Sequence, residues 1–306
     1  MSKRPTSYTE GVADIADIVE DQPVTLWSDV RSKLKRDRRF WIAAVMIAIF
    51  AGMAIAPQLF FTDSISPTQC NLSDSAQTPS REHWFGTDIL GCDYYTRVVY
   101  GARTSLEVGM VVGGLTVLIA LGLGSSSGYY GGKTDMIISR FADIWFSVPT
   151  TLGAILILSL FGGGGPLVIA LVLVFFGWPD MTRLVRSTVI GGKHRGYVRA
   201  AKTMGSPGRT ILRRHVLPNG IAPVLVFAAY TVGGAVGGEA GLTFLGVGLR
   251  LPSISWGLQI SIAQTRFTSD PYLLLFPSLF LSLLIGAFVL LGESLRDALD
   301  VKLEDG

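Results

Sequence analysis

The chain is poor in the residues that build metal centres and disulfide scaffolds, with 2 cysteines and 3 histidines in 306 residues. Two cysteines are too few for a disulfide framework or a four-ligand zinc site, and His83, His194 and His215 are too scattered for a His-rich metal centre. Charge is scarce as well. Asp, Glu, Lys and Arg make up 16% of the residues, against about 25% in an ordinary soluble domain. The net charge of +3 is small, and no nucleic-acid partner is expected. Residues 1–39 hold no apolar run near Met1 and carry Glu10, Asp14, Asp17, Glu20 and Asp21, so a cleavable signal peptide is not expected. A phosphate-cradling loop is missing too. The pattern G-x-x-x-x-G-K-[ST] must join a strand to a helix; the nearest approach, Ser127 to Thr134, has Ser where the first Gly belongs and follows an apolar run.

What is abundant is apolar surface. Hydrophobic residues reach 49% and glycine 36 residues, and the mean hydropathy is +0.46. These values exclude disorder, collagen and coiled coil. A helix that crosses a hydrocarbon core of about 30 Å needs roughly 20 apolar residues. Six stretches qualify: Phe40–Phe61, Ser105–Tyr129, Asp135–Phe161, Pro166–Val189, Pro218–Val247 and Tyr272–Leu295. They predict an all-α membrane protein of six transmembrane helices. Around them lie an N-terminal tail with a basic anchor (1–39), a long loop after the first span (62–104), a basic loop (190–217) inside the 105–300 domain, and a short tail (301–306).

Lys and Arg set the orientation. Eight precede the first span, two lie around Lys133 and Arg140, nine fall from Arg183 to Arg214 and two, Arg296 and Lys302, at the C-terminus; five lie on the other side. This bias predicts cytoplasmic termini. The run from Arg31 to Arg39 reads as an anchor for anionic membrane lipid, with a specific partner site as the alternative. Arg140/Asp143 and Asp180/Arg183, each three apart, are expected to pair on their own helices. Gly109 and Gly113 form a GxxxG, and Gly233, Gly234, Gly237, Gly238 and Gly241 crowd the fifth span. Close helix packing is the expectation for them, bending during gating the alternative.

The basic loop is the most informative segment. Tyr197, Ala200, Ala201 and Met204 fall at i, i+3, i+4 and i+7, giving a short helix one modest apolar stripe. Arg199 and Lys202 lie off it. Gly205 suits the left-handed position that ends a helix, Ser206 an N-cap and Pro207 a first helical turn. The pattern predicts a helix–elbow–helix without a catalytic group, either a knob for a partner's groove or a helix lying on lipid.

The alanine pair Ala200-Ala201, Gly205 and the later Leu217-Pro218 resemble the cytoplasmic coupling loop of ABC-importer permeases. Within that family, His83-Trp84-Phe85-Gly86-Thr87-Asp88, Tyr100-Gly101-Ala102-Arg103-Thr104-Ser105-Leu106, Gly128-Tyr129-Tyr130-Gly131-Gly132, Thr243-Phe244-Leu245-Gly246, Ser255-Trp256-Gly257 and Leu295-Arg296-Asp297-Ala298-Leu299-Asp300 are similar to the dipeptide/oligopeptide/nickel group, and to the C-type member of its permease pair. Arg199 departs from the Glu usual before the alanine pair, and Cys92 stands where a basic residue is usual. The resemblance implies a non-enzymatic subunit of the bacterial inner membrane, with peptide, nickel or another small solute as cargo. It implies a second similar permease, an extracytoplasmic binding protein, and ATPase subunits that carry ATP and Mg; no cofactor or metal is expected on this chain. Tyr197, Arg199, Ala200, Ala201, Lys202, Met204, Gly205, Leu217 and Pro218 would then couple to the ATPase. The rival readings are an ion-coupled secondary transporter and an intramembrane enzyme.

Cys70 and Cys92 share the first outer loop, on the oxidising side. A disulfide and two free thiols are both compatible with the sequence. The second outer segment, Gly248–Pro271, is expected to form a short helix at the pore mouth or an aromatic anchor through Trp256. Glu239, which the resemblance matches to a Glu in related permeases, is too costly to face lipid. With Gly237 and Gly238 it is a candidate for the pore or its gating, pairing with a neighbouring subunit being the alternative.

Overall fold

Helices begin and end here where the sequence supplies caps and breakers. The structure, a computed structural model, describes residues 26–61 and 67–299; the expectations for the acidic tail before residue 26 and for the C-terminal tail fall outside them. α1 (Leu26–Arg36) leads into α2 (Arg38–Ile55), capped by Asp37, whose carboxylate accepts from the Arg39 N–H at 2.9 Å. Pro57 then opens a short 3-10 turn, Pro57–Phe60. α3 (Tyr94–Tyr130) is capped by Asp93, which accepts from the Thr96 N–H and hydroxyl at 2.8 and 2.7 Å. α4 (Gly132–Phe146) and α5 (Thr150–Leu160) follow, then α6 (Pro166–Gly192), α7 (Gly196–Thr203), α8 (Gly208–Phe244, with a π-helical turn at Leu212–Val216), α9 (Trp256–Ala263) and α10 (Tyr272–Leu299). No strand occurs among the described residues. Five helices are long and apolar enough to cross a membrane, and six segments if α4 and α5 make one broken span.

Of the boundaries that differ from the sequence expectation, three have a clear physical cause. α3 starts at Tyr94, eleven residues before Ser105. At 37 residues it is about 55 Å long, so its first turns stand clear of the hydrocarbon, where an apolar window does not register them. The third span is not continuous: α4 and α5 meet at 77°. Ser147-Val148-Pro149 separates them, and Pro149 has no N–H to continue the ladder and disfavours helical backbone at Val148. Ser206 does not cap α8; the N-cap is Pro207, without a side-chain bond.

Successive spans alternate in direction. Arg39 Nη2 meets Asp297 Oδ2 at 2.6 Å, which brings the start of α2 to the end of α10. α7 lies at this same end; residues 67–93, the Gly162–Gly165 turn and α9 lie at the other. α3 packs on α6 and α8 through glycine. A Cβ on Gly109 would stand 2.7 Å from Val236, and one on Gly113 2.5 Å from Val232, so the predicted GxxxG is a close contact with α8. A second GxxxG, unnoticed in the sequence, does the same on α6: Cβ atoms at Gly124 and Gly128 would stand 2.6 and 2.7 Å from the Thr182 and Arg186 carbonyl oxygens.

The charge pairs are also redistributed. Arg183 bonds Asp143 of α4 at 2.7 Å and lies 3.8 Å over the Phe146 ring, rather than pairing with Asp180 on its own helix. A pair between helices ties two elements, whereas a pair three residues apart gains only about 0.2–0.5 kcal/mol.

Candidate functional site

α7 is a short helix standing at the end of the bundle that carries Arg39 and Asp297. Gly205 ends it at φ +80. The Ser206 N–H donates to the Ala201 carbonyl at 3.1 Å and the Gly205 N–H to the Lys202 carbonyl at 3.1 Å. These two bonds form a Schellman motif, which needs a left-handed residue where glycine stands. The spacing had placed Gly205 in that role.

The predicted apolar stripe divides. Ala201 is buried, and with Val198 it packs into a cluster of Met181, Val185, Val189, Ile211, Leu212 and Val216. Tyr197, Ala200 and Met204 face outward, Met204 at 78% exposure. So Val198 and Ala201, three apart, seat the helix, and the remaining stripe is free. Arg199, Lys202, Arg195, Arg209, Arg213 and Arg214 are exposed around it. No Asp or Glu occurs from Met181 through Gly238, so the surface is cationic throughout. Leu217 packs on the same cluster and Pro218 is exposed, both just past the π-helical turn.

Two further bonds hold this end. Lys193 Nζ donates to the Gly128 carbonyl at 2.7 Å. Arg186 bridges bidentately to Asp135, with N···O distances of 2.5 and 2.6 Å, while the Ser127 and Ser139 hydroxyls donate to the same carboxylate. Fork-to-fork geometry fixes orientation as well as distance, so α3, α4 and α6 are locked just above α7. Sequence reading missed this node because Asp135 and Arg186 share no local spacing.

Glu239 lies on α8 at the opposite end of the bundle and is 0% exposed. Its Oε1 accepts from the Thr243 and Ser255 hydroxyls, each at 3.0 Å, and Oε2 lies 3.5 Å from the Ser105 hydroxyl. Both close hydroxyls are already acceptors, Thr243 from the Leu249 N–H and Ser255 from the Leu258 N–H, each at 3.1 Å. Their protons are therefore directed at the carboxylate, and one side chain links α3, α8, the Leu249 loop and the N-terminus of α9. Among the described residues no basic side chain bonds to it. Gly237 and Gly238 flank this region, a Cβ on them meeting Ile285 at 3.4 Å and Leu173 at 3.5 Å.

The rest of that end is an ordered cap. Cys70 and Cys92 form a disulfide. Arg97 bonds Asp88 at 2.5 Å, and its Nη1 lies 3.4 Å from the Cys92 sulfur. The Tyr272 hydroxyl donates to the Thr87 carbonyl at 2.9 Å, and Phe85 stacks on Phe276 at 3.8 Å. The segment Gly248–Pro271 contains a short helix, α9. Its Trp256 is buried and donates to the Val98 carbonyl at 2.8 Å, so it is a packing residue and not an interfacial anchor.

Residues 120–305 match the family described as binding-protein-dependent transport system inner membrane component. The chain is 35% identical over 288 residues to the oligopeptide transport system permease protein OppC of Bacillus subtilis, covering 94% of this chain and 93% of that one. It is 38% identical to the dipeptide transport system permease protein DppC of Alkalihalophilus pseudofirmus, covering 93% of each. It is 34% identical to the glutathione transport system permease protein GsiD of an Escherichia coli strain, again covering 93% of each. With this agreement over nearly the whole length, and a bundle of apolar helices that ends in a free basic knob, the chain belongs to the inner-membrane component family of binding-protein-dependent transport systems, as a multi-pass permease subunit.

Proposed function

We propose that the chain is one half of the translocation path of an ATP-driven peptide importer, and that α7 is the lever by which an ATPase subunit moves it. The observation that carries this reading is the knob itself. It is a rigidly capped helix seated by Val198 and Ala201, with Tyr197, Ala200 and Met204 presented free inside a ring of cations. Apolar side chains exposed in a cationic rim suit a groove with an apolar floor and an acidic edge. A lipid surface is the weaker fit, because α7 stands on the bundle through its inward face.

The bias of Lys and Arg supports placing both termini and α7 in the cytoplasm. A second, similar permease completes the path, and a binding protein delivers cargo to the disulfide-closed end. Peptide is the cargo read here, ahead of nickel or another small solute, because relatives are named for oligopeptide, dipeptide and glutathione. ATP and Mg belong to the ATPase subunit. ATP binding stabilises one arrangement of the two permeases over the other, which is the differential free energy that any switch requires.

The test is the assembled importer in membranes. Ala200→Glu puts an anion on the free face of α7 without touching its seat, and Gly205→Pro is incompatible with φ +80. Each is expected to lower ATPase stimulation by cargo-loaded binding protein at least about tenfold, with membrane insertion unchanged. Full stimulation in both variants would contradict the lever.

A further inference from the structure

α3 has one face that, among the described residues, no helix of this chain covers. Arg103, Glu107, Met110, Gly114, Leu118 and Gly122 follow one another at spacings of three and four, and all are exposed. Met110 is 57% and Leu118 66% exposed. A Cβ built on Gly114 or Gly122 would meet nothing within 4 Å. Neither Arg103 nor Glu107 has an ion-pair partner among the described residues, although they lie one helical turn apart, with Cβ atoms about 5–6 Å from each other.

The depth of Glu107 is set by its neighbour. Val108 is fully buried in a cluster with Val112, Ala170, Val174 and Ala235. Gly109, two residues on, packs against Val236 of α8, eight residues before that helix ends at Phe244, so Glu107 stands about 9 Å inside the outer end of α8. Glu107 thus sits within the outer leaflet, pointing away from its own bundle. A carboxylate there does not face acyl chains, and burying it unpaired against another protein is strongly unfavourable. A water-filled channel meets neither objection. The positions below it are small or flexible apolar residues, a wall that offers no polar grip. Passage requires contact that is favourable at entry and weak beyond it.

We propose that this face of α3 is a wall of the translocation path, with Arg103 and Glu107 as a charged pair that contacts the ammonium and carboxylate of zwitterionic cargo in transit. The cargo class rests on the peptide-importer reading; the wall does not.

Cysteine labelling, scored on this chain after separation of the subunits, decides it, because Cys70 and Cys92 are bonded to each other and no free cysteine of this chain competes. In the assembled importer, Glu107→Cys and Leu118→Cys are treated with membrane-impermeant methanethiosulfonates of either charge and with a lipid-soluble maleimide. Both positions are expected to react with the water-soluble reagents. At Glu107→Cys the anionic reagent, each rate taken relative to that with a free thiol, should be favoured about threefold over the cationic one, from a single charge some 6 Å away in water at physiological salt, and Arg103→Gln should abolish that preference. Reaction with the maleimide alone would place the face in lipid and overturn the wall. No reaction with any reagent would place it under the partner permease and overturn it equally. Reaction without charge preference would overturn the charged contact. ATPase stimulation, which reads the knob, is scored separately, so a failure here is distinct from failure of the lever.

Discussion

At Glu239, among the described residues, a carboxylate is held by hydroxyls alone, and what it does follows from which atoms donate. Thr243 and Ser255 both donate to Oε1, an atom that an amide also offers as an acceptor. Glu239→Gln should therefore leave the melting temperature of the purified importer close to wild type. Glu239→Leu should cost about 1–3 kcal/mol for each of the two buried hydroxyls it strands. Equal destabilisation by both would show that the charge, not the acceptor, holds α9 in place. Gly205 offers a second residue-scale test. Its surroundings are open, so Gly205→Ala meets only the backbone penalty of φ +80, about 1–2 kcal/mol. Hydrogen exchange across residues 196–204 should quicken accordingly, with the rest of the bundle unchanged. Gly205 was legible in the sequence because a helix stop is a local signal. The Glu239 cluster was not, because Ser105, Thr243 and Ser255 converge only once three elements have packed. The partner of Arg183 escaped for the same reason.

Between α3 and α6 the backbones come close, and glycine sets that distance. Gly124→Leu or Gly128→Leu would drive a side chain into the Thr182 or Arg186 carbonyl. Overpacking of this kind costs about 1–3 kcal/mol. It should also shift α6, which carries the knob, so coupled ATPase activity is expected to fall along with thermal stability. Gly114→Leu, on the same helix facing open space, should leave stability unchanged. Loss of stability at Gly114 and none at Gly124 would reverse the packing described here. The existence of the spans was readable from apolar length. The break between α4 and α5 was marked by Pro149 but hidden in an otherwise continuous apolar run. The early start of α3 was invisible to hydropathy because its first turns are held by Asp93, Asp88 and the disulfide-closed segment.

For the whole molecule, the bundle is a body clasped at two ends. A disulfide, the Arg97–Asp88 pair and the Glu239 hydroxyl cluster hold one end; the Asp135–Arg186 bridge and the seat of α7 hold the other. Force applied to α7 passes through Val198 and Ala201 into α6 and α8, the helices whose ends beside α7 share its cluster. This connected packing is what would let a small lever move long helices. The most direct measurement places a photoreactive benzoylphenylalanine at Met204 in an importer that still hydrolyses ATP in response to cargo. The account predicts a covalent adduct between this chain and the ATPase subunit, more abundant when nucleotide closes the ATPase. An adduct with lipid only, or none in a complex that is turning over, would contradict it.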